Sequence, residues 1–452
     1  MMDERPDFHE LSGELAGELV LPGDAGYEVA RRVWNGMIDK RPAGIVRCVS
    51  PDDVLAAIAF GSTHGMAVAV RGGSHNIAGN ATCDDGVVID VSPMCSIEVD
   101  PRNRRALVGG GATIGQFDAK TQTLGLATTG GIMPSTGIGG FTLGGGLGVL
   151  MRSYGLACDN LLSADVVTAD GQRVRASSDE NADLFWALRG GGGNFGVVTS
   201  FEFQLHEVGP ILTGQLAHRW SDARAALRFY RDFVAQAPDN LVIYQSLGTD
   251  DDGQPEMYMR SMYIGPVAEG LSVVAPLRAF GSPLLDDFKP MSYVDVQRMV
   301  EPAFPSGRLN YWKANFVDDL SDELIDIMID SASRLPSPYS MIALEHMGGA
   351  VGRVPDTATA FEHRRAAFSL LILSGWATPA DTDINVAWAR EAWERTRPLS
   401  SSAVYVNYLG TEGEQRVRDA YGVNHARLRE VKRQYDPGNF FRLNQNIEPA
   451  AP

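Results

Sequence analysis

Three short segments of the chain are rich in glycine, and glycine-rich segments can bind phosphate groups through their backbone amides. They are residues 71–76 (RGGSHN), residues 137–148 and residues 190–196. A glycine cluster at the end of a strand lets backbone N–H groups approach a pyrophosphate, because no side chain intervenes. The 452-residue chain has 49 glycines, which exceeds the usual share of about 7%. These clusters are therefore the first candidates for a nucleotide site.

Three kinds of nucleotide site were compared for these clusters. The P-loop of ATP-binding proteins requires Gly-x4-Gly-Lys-Ser/Thr, and no cluster is followed by that lysine. The GxGxxG pattern of dinucleotide-binding folds occurs at Gly191, Gly193 and Gly196, but it follows a predicted helix and precedes a predicted strand. That order is the reverse of the one that directs a helix N-terminus at phosphate. A flavin domain, in which several glycine loops surround one long cofactor, explains why all three clusters lie in the first half of the chain.

Two further segments carry side chains suited to acid–base chemistry. Glu345 and His346 end an apolar run just before two glycines, where a strand end could project into a cleft. Adjacent residues of a strand point in opposite directions, so at most one of them is expected to face the site. In residues 403–410, AVYVNYLG, strand alternation would place Tyr405 on one face and Tyr408 on the other.

The elements that position these residues change in character near residue 206. Before it, the sequence predicts a helix over 50–63, begun by a capping serine and a proline, and a second helix over 183–189. Strands are predicted over 67–70, 87–92 and 197–205, and residues 106–115 are predicted to form a strand that breaks into a loop.

After residue 206, glycine becomes sparse and amphipathic helices alternate with runs of strands. Helices are predicted over 222–236 and 414–435, and strands over 241–248, 257–265, 340–347 and 403–410. This order predicts an α+β fold whose second domain has an antiparallel sheet covered by helices. The expected domains are residues 1–205, residues 206–400, and a C-terminal segment, 401–452, that returns to the first domain.

Composition excludes several classes of function. The net charge of −17 disfavours binding to nucleic acid or to an anionic membrane surface. The chain contains no uninterrupted apolar run of membrane-spanning length and no apolar leader segment near its N-terminus. Its four cysteines are scattered, and its histidines lack metal-binding spacing. We therefore expect a cytoplasmic protein with no metal, no nucleic-acid partner and no membrane contact; its oligomeric state is left open.

Four ordered blocks of sequence resemble a known family. The blocks are residues 70–76, 125–161, 184–203 and 435–447. They are similar to the FAD-linked oxidases of the vanillyl-alcohol oxidase superfamily. More closely, they resemble its berberine bridge enzyme-like group, which includes bacterial 6-hydroxynicotine oxidase. The resemblance implies a PCMH-type FAD-binding domain, made of two α/β subdomains, followed by a substrate domain.

The resemblance also implies that FAD is covalently attached. His75 matches the histidine whose ring bonds to the 8α-methyl group of the flavin, and an unprotonated imidazole is nucleophilic at neutral pH. Many relatives have a second link from a cysteine that precedes a proline, but this chain has Met133 before Pro134. A thioether cannot form that bond, so we expect attachment through His75 alone.

Other cofactor contacts follow from the resemblance. They are implied for Arg71, Gly72, Gly73, Ser74, Asn76 and Gly79 in the first block, and for Met133, Thr136, Gly137, Gly140, Gly144 and Gly148 in the second. Asp159, Gly196 and Val198 would lie near the adenosine end, and Asn444 and Asn446 near the isoalloxazine.

In relatives, the tyrosine that matches Tyr408 acts as the catalytic base. A free phenol has a pKa of about 10, so this role requires a cationic or hydrogen-bonding neighbour, for which Lys313 and Arg260 are candidates. Glu345 and His346 remain alternative catalytic groups, with Tyr405 nearby. Aromatic walls could come from Tyr244, Tyr258, Tyr263 and Trp312.

The expected function is that of an FAD-dependent oxidase. It would transfer hydride from an alcohol or amine carbon of a small organic substrate, such as a natural-product intermediate, to flavin N5, and dioxygen would be reduced to hydrogen peroxide. Two alternatives remain open: a covalent-flavin dehydrogenase with another electron acceptor, and a flavin-binding protein without catalytic activity. The substrate itself is left open among sugars, amines, phenolics and polyketide alcohols.

Overall fold

The fold was analysed in a computed structural model that describes residues 6–250 and 252–451. Residues 1–5, 251 and 452 lie outside the described residues. The first five belong to the segment on which the expectation about a leader rests, and all seven belong to the predicted domains. Among the described residues, no helix is both long and apolar enough to cross a membrane.

The first half of the chain forms two small sheets. The first, in spatial order β1-β2-β4-β3, contains β1 (Glu18–Val20), β2 (Gly44–Arg47), β3 (Val68–Arg71) and β4 (Val87–Asp90). In it β4 pairs in parallel with both β2 and β3. The second is antiparallel, in the order β5-β6-β10-β8-β9, with β5 (Ile97–Asp100), β6 (Arg105–Gly109), β8 (Leu161–Val167), β9 (Arg173–Ser177) and β10 (Val197–Gln204).

The helices of this half support the two sheets. They are Phe8–Glu14, Tyr27–Ala30, Pro51–Thr63, Ile114–Gln122, Ile138–Leu143, Met151–Tyr154 and Ala182–Leu188. The helix Pro51–Thr63 begins as the sequence predicts: Ser50 Oγ accepts a hydrogen bond from the Asp53 N–H, and the Asp53 carboxylate accepts one from the Ser50 N–H. This capping box satisfies two groups that a helix end otherwise leaves unpaired.

A short two-stranded ladder joins the halves, and a large antiparallel sheet forms the second. The ladder pairs β7 (Leu126–Ala127) with β11 (His206–Glu207). The large sheet runs β15-β12-β14-β13-β18-β19-β17, with β16 also paired to β12. Its strands are β12 (Ile211–Arg219), β13 (Leu241–Thr249), β14 (Pro255–Tyr263), β15 (Leu285–Asp286), β16 (Lys289–Met291), β17 (Leu309–Val317), β18 (Met341–His346) and β19 (Phe368–Trp376).

Helices cover one face of this large sheet. The helices of the second half are Ala223–Val234, Val267–Ala279, Tyr293–Arg298, Asp322–Ala332, Ala350–Arg353, Thr382–Thr396, Glu414–Tyr421 and His425–Tyr435. Four of them, including Ala223–Val234 and Asp322–Ala332, share a core with alternate strand residues such as Leu241 and Ile243. The predicted α+β fold, with its helix-covered antiparallel sheet, is confirmed.

Two predicted elements differ from the structure. Residues 403–410 do not form a strand; they contain a 3-10 turn at Val406–Tyr408, closed by a hydrogen bond from the Tyr408 N–H to the Tyr405 carbonyl. The single helix predicted over 414–435 is divided at Gly422, which adopts a φ of +47°. The side chain of Glu362 occupies the space where a Cβ on Gly422 would lie and accepts a hydrogen bond from the Val423 N–H.

Candidate functional site

A cavity of about 580 Å³ lies between the glycine-rich loops of the first half and the uncovered face of the large sheet. Its volume is within the range typical of small-molecule and cofactor sites. The predicted site residues that line it are Gly72, Gly73, Ser74, His75, Asn76, Met133, Thr136, Gly137, Gly140, Gly196, Val198, Glu345, Tyr405, Tyr408 and Asn444. The fold therefore brings together residues that are up to 372 positions apart in the sequence, from Gly72 to Asn444 (444 − 72).

His75 lies in the turn that follows β3. The preceding residue, Ser74, has a φ of +62°, a left-handed conformation that non-glycine residues seldom adopt. The His75 ring stacks on Trp34, with 5.1 Å between ring centroids, and its Nε2 shares a 2.9 Å hydrogen bond with Ser135 Oγ. Burial lowers the pKa of His75 to about 4, so the imidazole is neutral at physiological pH.

Two of the glycine loops touch through their backbones. A Cβ on Gly73 would lie 2.1 Å from the backbone nitrogen of Gly137, and a Cβ on Gly137 would lie 2.3 Å from that of Gly73. No larger residue fits at either position without moving a loop. Both glycines line the cavity, so this wall presents backbone rather than side chains, as a phosphate-binding wall requires.

Several buried polar atoms at the cavity have no hydrogen-bond partner among the described residues. They include Asn444 Oδ1, Trp312 Nε1, Glu345 Oε2 and Arg260 Nε. Buried polar groups are nearly always paired in folded proteins. Unpaired donors and acceptors, together with an amide-lined wall, fit a large bound molecule that carries both a pyrophosphate and a polar ring, as FAD does.

Tyr408 and Glu345 form the central polar contact of the cavity. The Tyr408 hydroxyl donates a hydrogen bond of 2.8 Å to Glu345 Oε1. Burial raises the pKa of Glu345, an effect that hydrogen bonds from Tyr408 and Ser369 oppose. Burial and the neighbouring Glu345 charge both raise the pKa of Tyr408 well above its usual value. The pair therefore favours a carboxylate beside a protonated phenol.

A hydrogen-bonding neighbour of Tyr408 is present in Glu345, and the two cations considered for that place have other partners. Lys313 instead forms an ion pair of 2.8 Å with Glu412. Arg260 lines the cavity but donates to Gln215 Oε1 at 2.7 Å. Sequence alone could not show this, because each of these residues is far in the chain from its partner.

Tyr405 has a different environment from Tyr408. Its hydroxyl accepts hydrogen bonds from the Gly146 N–H, at 3.0 Å, and from Asn407 Nδ2, at 2.7 Å. Burial raises its pKa. Because the segment turns instead of extending, Tyr405, Asn407 and Tyr408 all reach the cavity, where a regular strand would have placed Tyr408 opposite Tyr405. Tyr405 thus fastens the glycine-rich loop to the C-terminal segment.

Only one residue of the Glu345–His346 pair faces the cavity, as strand alternation predicts. His346 is buried on the other side of β18, where its ring centroid lies 6.2 Å from that of Phe368. Burial and the charge of Arg152 lower the pKa of His346 far below its usual value. His346 is therefore a neutral packing residue outside the cavity, where it cannot take the catalytic role that was considered for it.

Besides His346 and Lys313, seven residues proposed from sequence do not line the cavity. They are the cofactor candidates Arg71, Gly79, Gly144, Gly148, Asp159 and Asn446, and the wall candidate Tyr263. Two of these residues, Arg71 and Asp159, have charged partners within the protein. The Arg71 guanidinium is held by Asp90 at 2.6 Å, and the Asp159 carboxylate by the buried Arg364 at 2.7 Å.

The glycines among these residues permit close packing. A Cβ on Gly148 would lie 1.9 Å from the Gly130 carbonyl oxygen, one on Gly144 2.1 Å from Asn407 Oδ1, and one on Gly79 2.7 Å from Ile38. Tyr263 belongs to the helix-covered core. Tyr244, Tyr258 and Trp312 do form part of the cavity wall, as expected.

Site residues that were not predicted from the sequence include Trp34, Ser135 and Gln215. Trp34, which stacks on His75, lies in an N-terminal segment without a motif. Ser135 stands inside the second glycine block, so its place beside the proline was the available signal. Gln215 lies on β12, and nothing in its local sequence distinguishes it from an ordinary exposed strand residue.

Within residues 6–250 and 252–451, no three His, Cys, Asp or Glu side chains are grouped so that they could hold a metal ion.

Comparison with known proteins agrees with this geometry. Residues 42–177 match the model of an FAD binding domain, and residues 404–448 match the model described as berberine and berberine like. The chain is 32% identical over 453 residues to (R)-6-hydroxynicotine oxidase of Paenarthrobacter nicotinovorans, which covers 96% of this chain and 97% of that protein. It is 29% identical over 445 residues to an FAD-linked oxidoreductase of Dictyostelium discoideum, covering 98% and 96% of the two chains.

A solved structure shares the whole fold. The crystal structure of 6-hydroxy-D-nicotine oxidase from Arthrobacter nicotinovorans superposes with a TM-score of 0.90 at 30% identity, covering 96% of this chain and 98% of that chain. The two matched models lie at opposite ends of the sequence and meet at the cavity, where His75 and Tyr408 both line the wall. The chain is an FAD-linked oxidoreductase with a PCMH-type FAD-binding fold, and it belongs to the berberine bridge enzyme-like family.

Proposed function

We propose that this protein is an oxidase that holds FAD through a single covalent bond from His75. It would oxidise an alcohol or amine carbon of a small organic substrate. The observation that carries the proposal is the environment of His75, a neutral imidazole fixed by Trp34 and Ser135 in the wall of the glycine-lined cavity. The similarity to (R)-6-hydroxynicotine oxidase supports the same assignment.

Attachment at one point follows from the residue at the other candidate position. Met133 lines the cavity directly before Pro134, and its thioether sulfur has no proton to lose and cannot form a cysteinyl-type bond. Cys158 is fully buried, and burial raises the pKa of its thiol. It also lies outside the cavity wall, so it offers no second link.

The remaining residues supply the acid–base part of the reaction. Bound FAD would supply the hydride acceptor, and dioxygen would be the final oxidant, giving hydrogen peroxide. Glu345 is the group placed to accept the proton from the substrate O–H or N–H, because it is the carboxylate of the pair. Tyr408 keeps its proton and orients the carboxylate. The substrate thus loses one hydride and one proton and becomes a carbonyl compound or an imine.

The experiment that tests covalent attachment is intact-mass analysis of the purified, denatured protein. The wild type is expected to carry the mass of FAD and to keep its yellow colour after acid precipitation. His75→Ala is expected to release its flavin on denaturation. Cys158→Ala is the matched control and should retain the bond. A wild-type mass equal to that of the bare chain would refute the proposal.

Oxidase activity is tested separately by reoxidation. The enzyme is reduced anaerobically with a substrate and mixed with aerated buffer in a stopped-flow instrument. Rapid return of the oxidised flavin spectrum, with stoichiometric hydrogen peroxide, is expected. A reduced flavin that is stable in air for minutes would instead assign a dehydrogenase.

A further inference from the structure

Four side chains form one row across the cavity face of the large sheet. Strand pairing places Gln215 opposite Arg260, Arg260 opposite Tyr244, and Tyr244 opposite Glu345. Residues directly opposite each other in an antiparallel sheet point to the same face, and all four line the cavity. The row therefore leads from the acid–base pair to a guanidinium deeper along the sheet.

The spacing along this row is fixed by the backbone. Adjacent strands lie about 4.7–4.9 Å apart, and β18 and β14 are separated by one intervening strand, β13. The backbone positions of Glu345 and Arg260 are thus about 10 Å apart. A ligand that reaches both side chains must have its reactive carbon and its second polar group separated by a similar length.

Arg260 has no anionic partner among the described residues. Its guanidinium donates one hydrogen bond, to the neutral side chain of Gln215, and its Nε has no hydrogen-bond partner among the described residues. Within 4.0 Å, it forms no ion pair with any carboxylate of the described chain. Burial lowers its pKa, while the more distant Asp287 has the opposite effect.

An unpaired cation in a cavity wall is costly unless a ligand compensates it. Removing a charged group from water without a partner is strongly unfavourable. The buried Arg364 avoids this cost through a carboxylate, that of Asp159 at 2.7 Å. At Arg260, the available N–H donors have the geometry that binds a carboxylate.

We propose that the substrate carries a carboxylate that Arg260 binds, about 10 Å from the carbon that is oxidised beside Glu345. Tyr244 and Tyr258, which line the cavity on adjacent strands, form a wall for a flat apolar body between the two ends. This inference rests on the proposed function, and it narrows the substrate class from any alcohol or amine to an elongated, aromatic acid of that kind.

The test uses the flavin-loaded enzyme and two matched probes. The probes are 4-methylcinnamate, which has a carboxylate at one end and no oxidisable alcohol, and its neutral amide. Binding is measured by calorimetry and by perturbation of the flavin absorbance. The wild type is expected to bind the acid about 10- to 100-fold more tightly than the amide, as for a hydrogen-bonded charge. Arg260→Gln should lose this preference, and Arg260→Lys should keep part of it.

Arg224→Gln is the control for loss of one positive charge in the same domain, since Arg224 is exposed and pairs with Asp326. It should retain the preference for the acid. The inference is overturned if the acid and the amide bind the wild type equally, if the acid does not bind at millimolar concentration, or if Arg260→Gln keeps the preference.

A second measurement separates this inference from the proposed function. Anaerobic reduction is followed with 4-(hydroxymethyl)cinnamate, which adds an alcohol at the far end of the same skeleton. A higher Kd for this substrate in Arg260→Gln, with a similar limiting rate of flavin reduction, supports both proposals. If binding of the acid depends on Arg260 but no alcohol or amine reduces the flavin, the carboxylate site stands and the oxidase assignment fails.

Discussion

The Tyr408 hydroxyl donates a hydrogen bond of 2.8 Å to Glu345 Oε1. The direction of this hydrogen bond separates the roles of the two residues. A phenol whose pKa is raised by a neighbouring carboxylate makes a poor base, whereas a carboxylate whose pKa is raised by burial makes a stronger one. The contact joins β18 to the 3-10 turn at residues 406–408, so it also holds the C-terminal segment against the large sheet.

Replacing Glu345 by Gln removes the proposed proton acceptor but keeps the size and most hydrogen bonds of the side chain. We expect the rate of flavin reduction to fall by about 10²- to 10⁴-fold, the usual contribution of a positioned base. Stopped-flow reduction under anaerobic conditions measures it directly. His346→Gln, which changes the neighbouring residue outside the cavity, is the control. A rate in Glu345→Gln close to that of the wild type would remove Glu345 from the mechanism.

Replacing Tyr408 by Phe removes the hydrogen bond that stabilises the ionised form of Glu345. That bond lowers the pKa of Glu345 against the effect of burial, so its loss should raise the pKa further. Because the base must be deprotonated, reduction of the flavin slows as pH falls through this pKa. The acid limb of the rate profile should therefore move to higher pH in Tyr408→Phe, with a similar rate on the alkaline plateau. An unchanged acid limb together with a lost plateau would instead identify Tyr408 as the base.

Gly73→Ala tests the contact between the two glycine loops. The new methyl group would lie 2.1 Å from the Gly137 nitrogen, among backbone atoms that cannot rotate away. We expect weaker flavin incorporation and a lower melting temperature, measured from the ratio of flavin to protein absorbance and by calorimetry. Gly410→Ala, where a Cβ meets nothing within 4 Å, is the control. Full flavin content in Gly73→Ala would show that the loops can separate without loss of the site.

Local sequence predicted those parts of the fold that depend on local interactions. The helix at 51–63 was found because its start signals, Ser50 and Pro51, are adjacent in the sequence. The expectation that only one of Glu345 and His346 faces the cavity followed from alternation along a real strand. The pattern in residues 403–410 also alternates, but a strand requires a neighbouring backbone edge, and this segment bonds to the glycine-rich loop through Tyr405 and Asn407 instead.

Two charged cofactor candidates, Arg71 and Asp159, have partners elsewhere in the chain. Arg71 finds Asp90 on the adjacent strand β4, and Asp159 finds Arg364, 205 positions away. A charged side chain near a glycine block has the same local sequence whether it binds a ligand or a partner in the protein. Arg260 also has no distinguishing local sequence, and only the sheet register places it in the same row as Glu345.

Asp159→Ala is expected to destabilise the protein strongly, because it leaves the Arg364 charge buried without a partner. The Arg364 side chain is 0% exposed and donates to both Asp159 carboxylate oxygens, at 2.9 and 2.7 Å. Removing one member of such a buried pair typically costs about 3–5 kcal/mol. Glu391→Ala is the matched control, since its pair with Arg334 is about half exposed, and exposed pairs contribute at most about 1 kcal/mol. The free energy of unfolding of the flavin-loaded proteins, from denaturant titration, measures both. Equal losses in the two variants would contradict this expectation, because they would mean that water reaches Arg364 and compensates its charge.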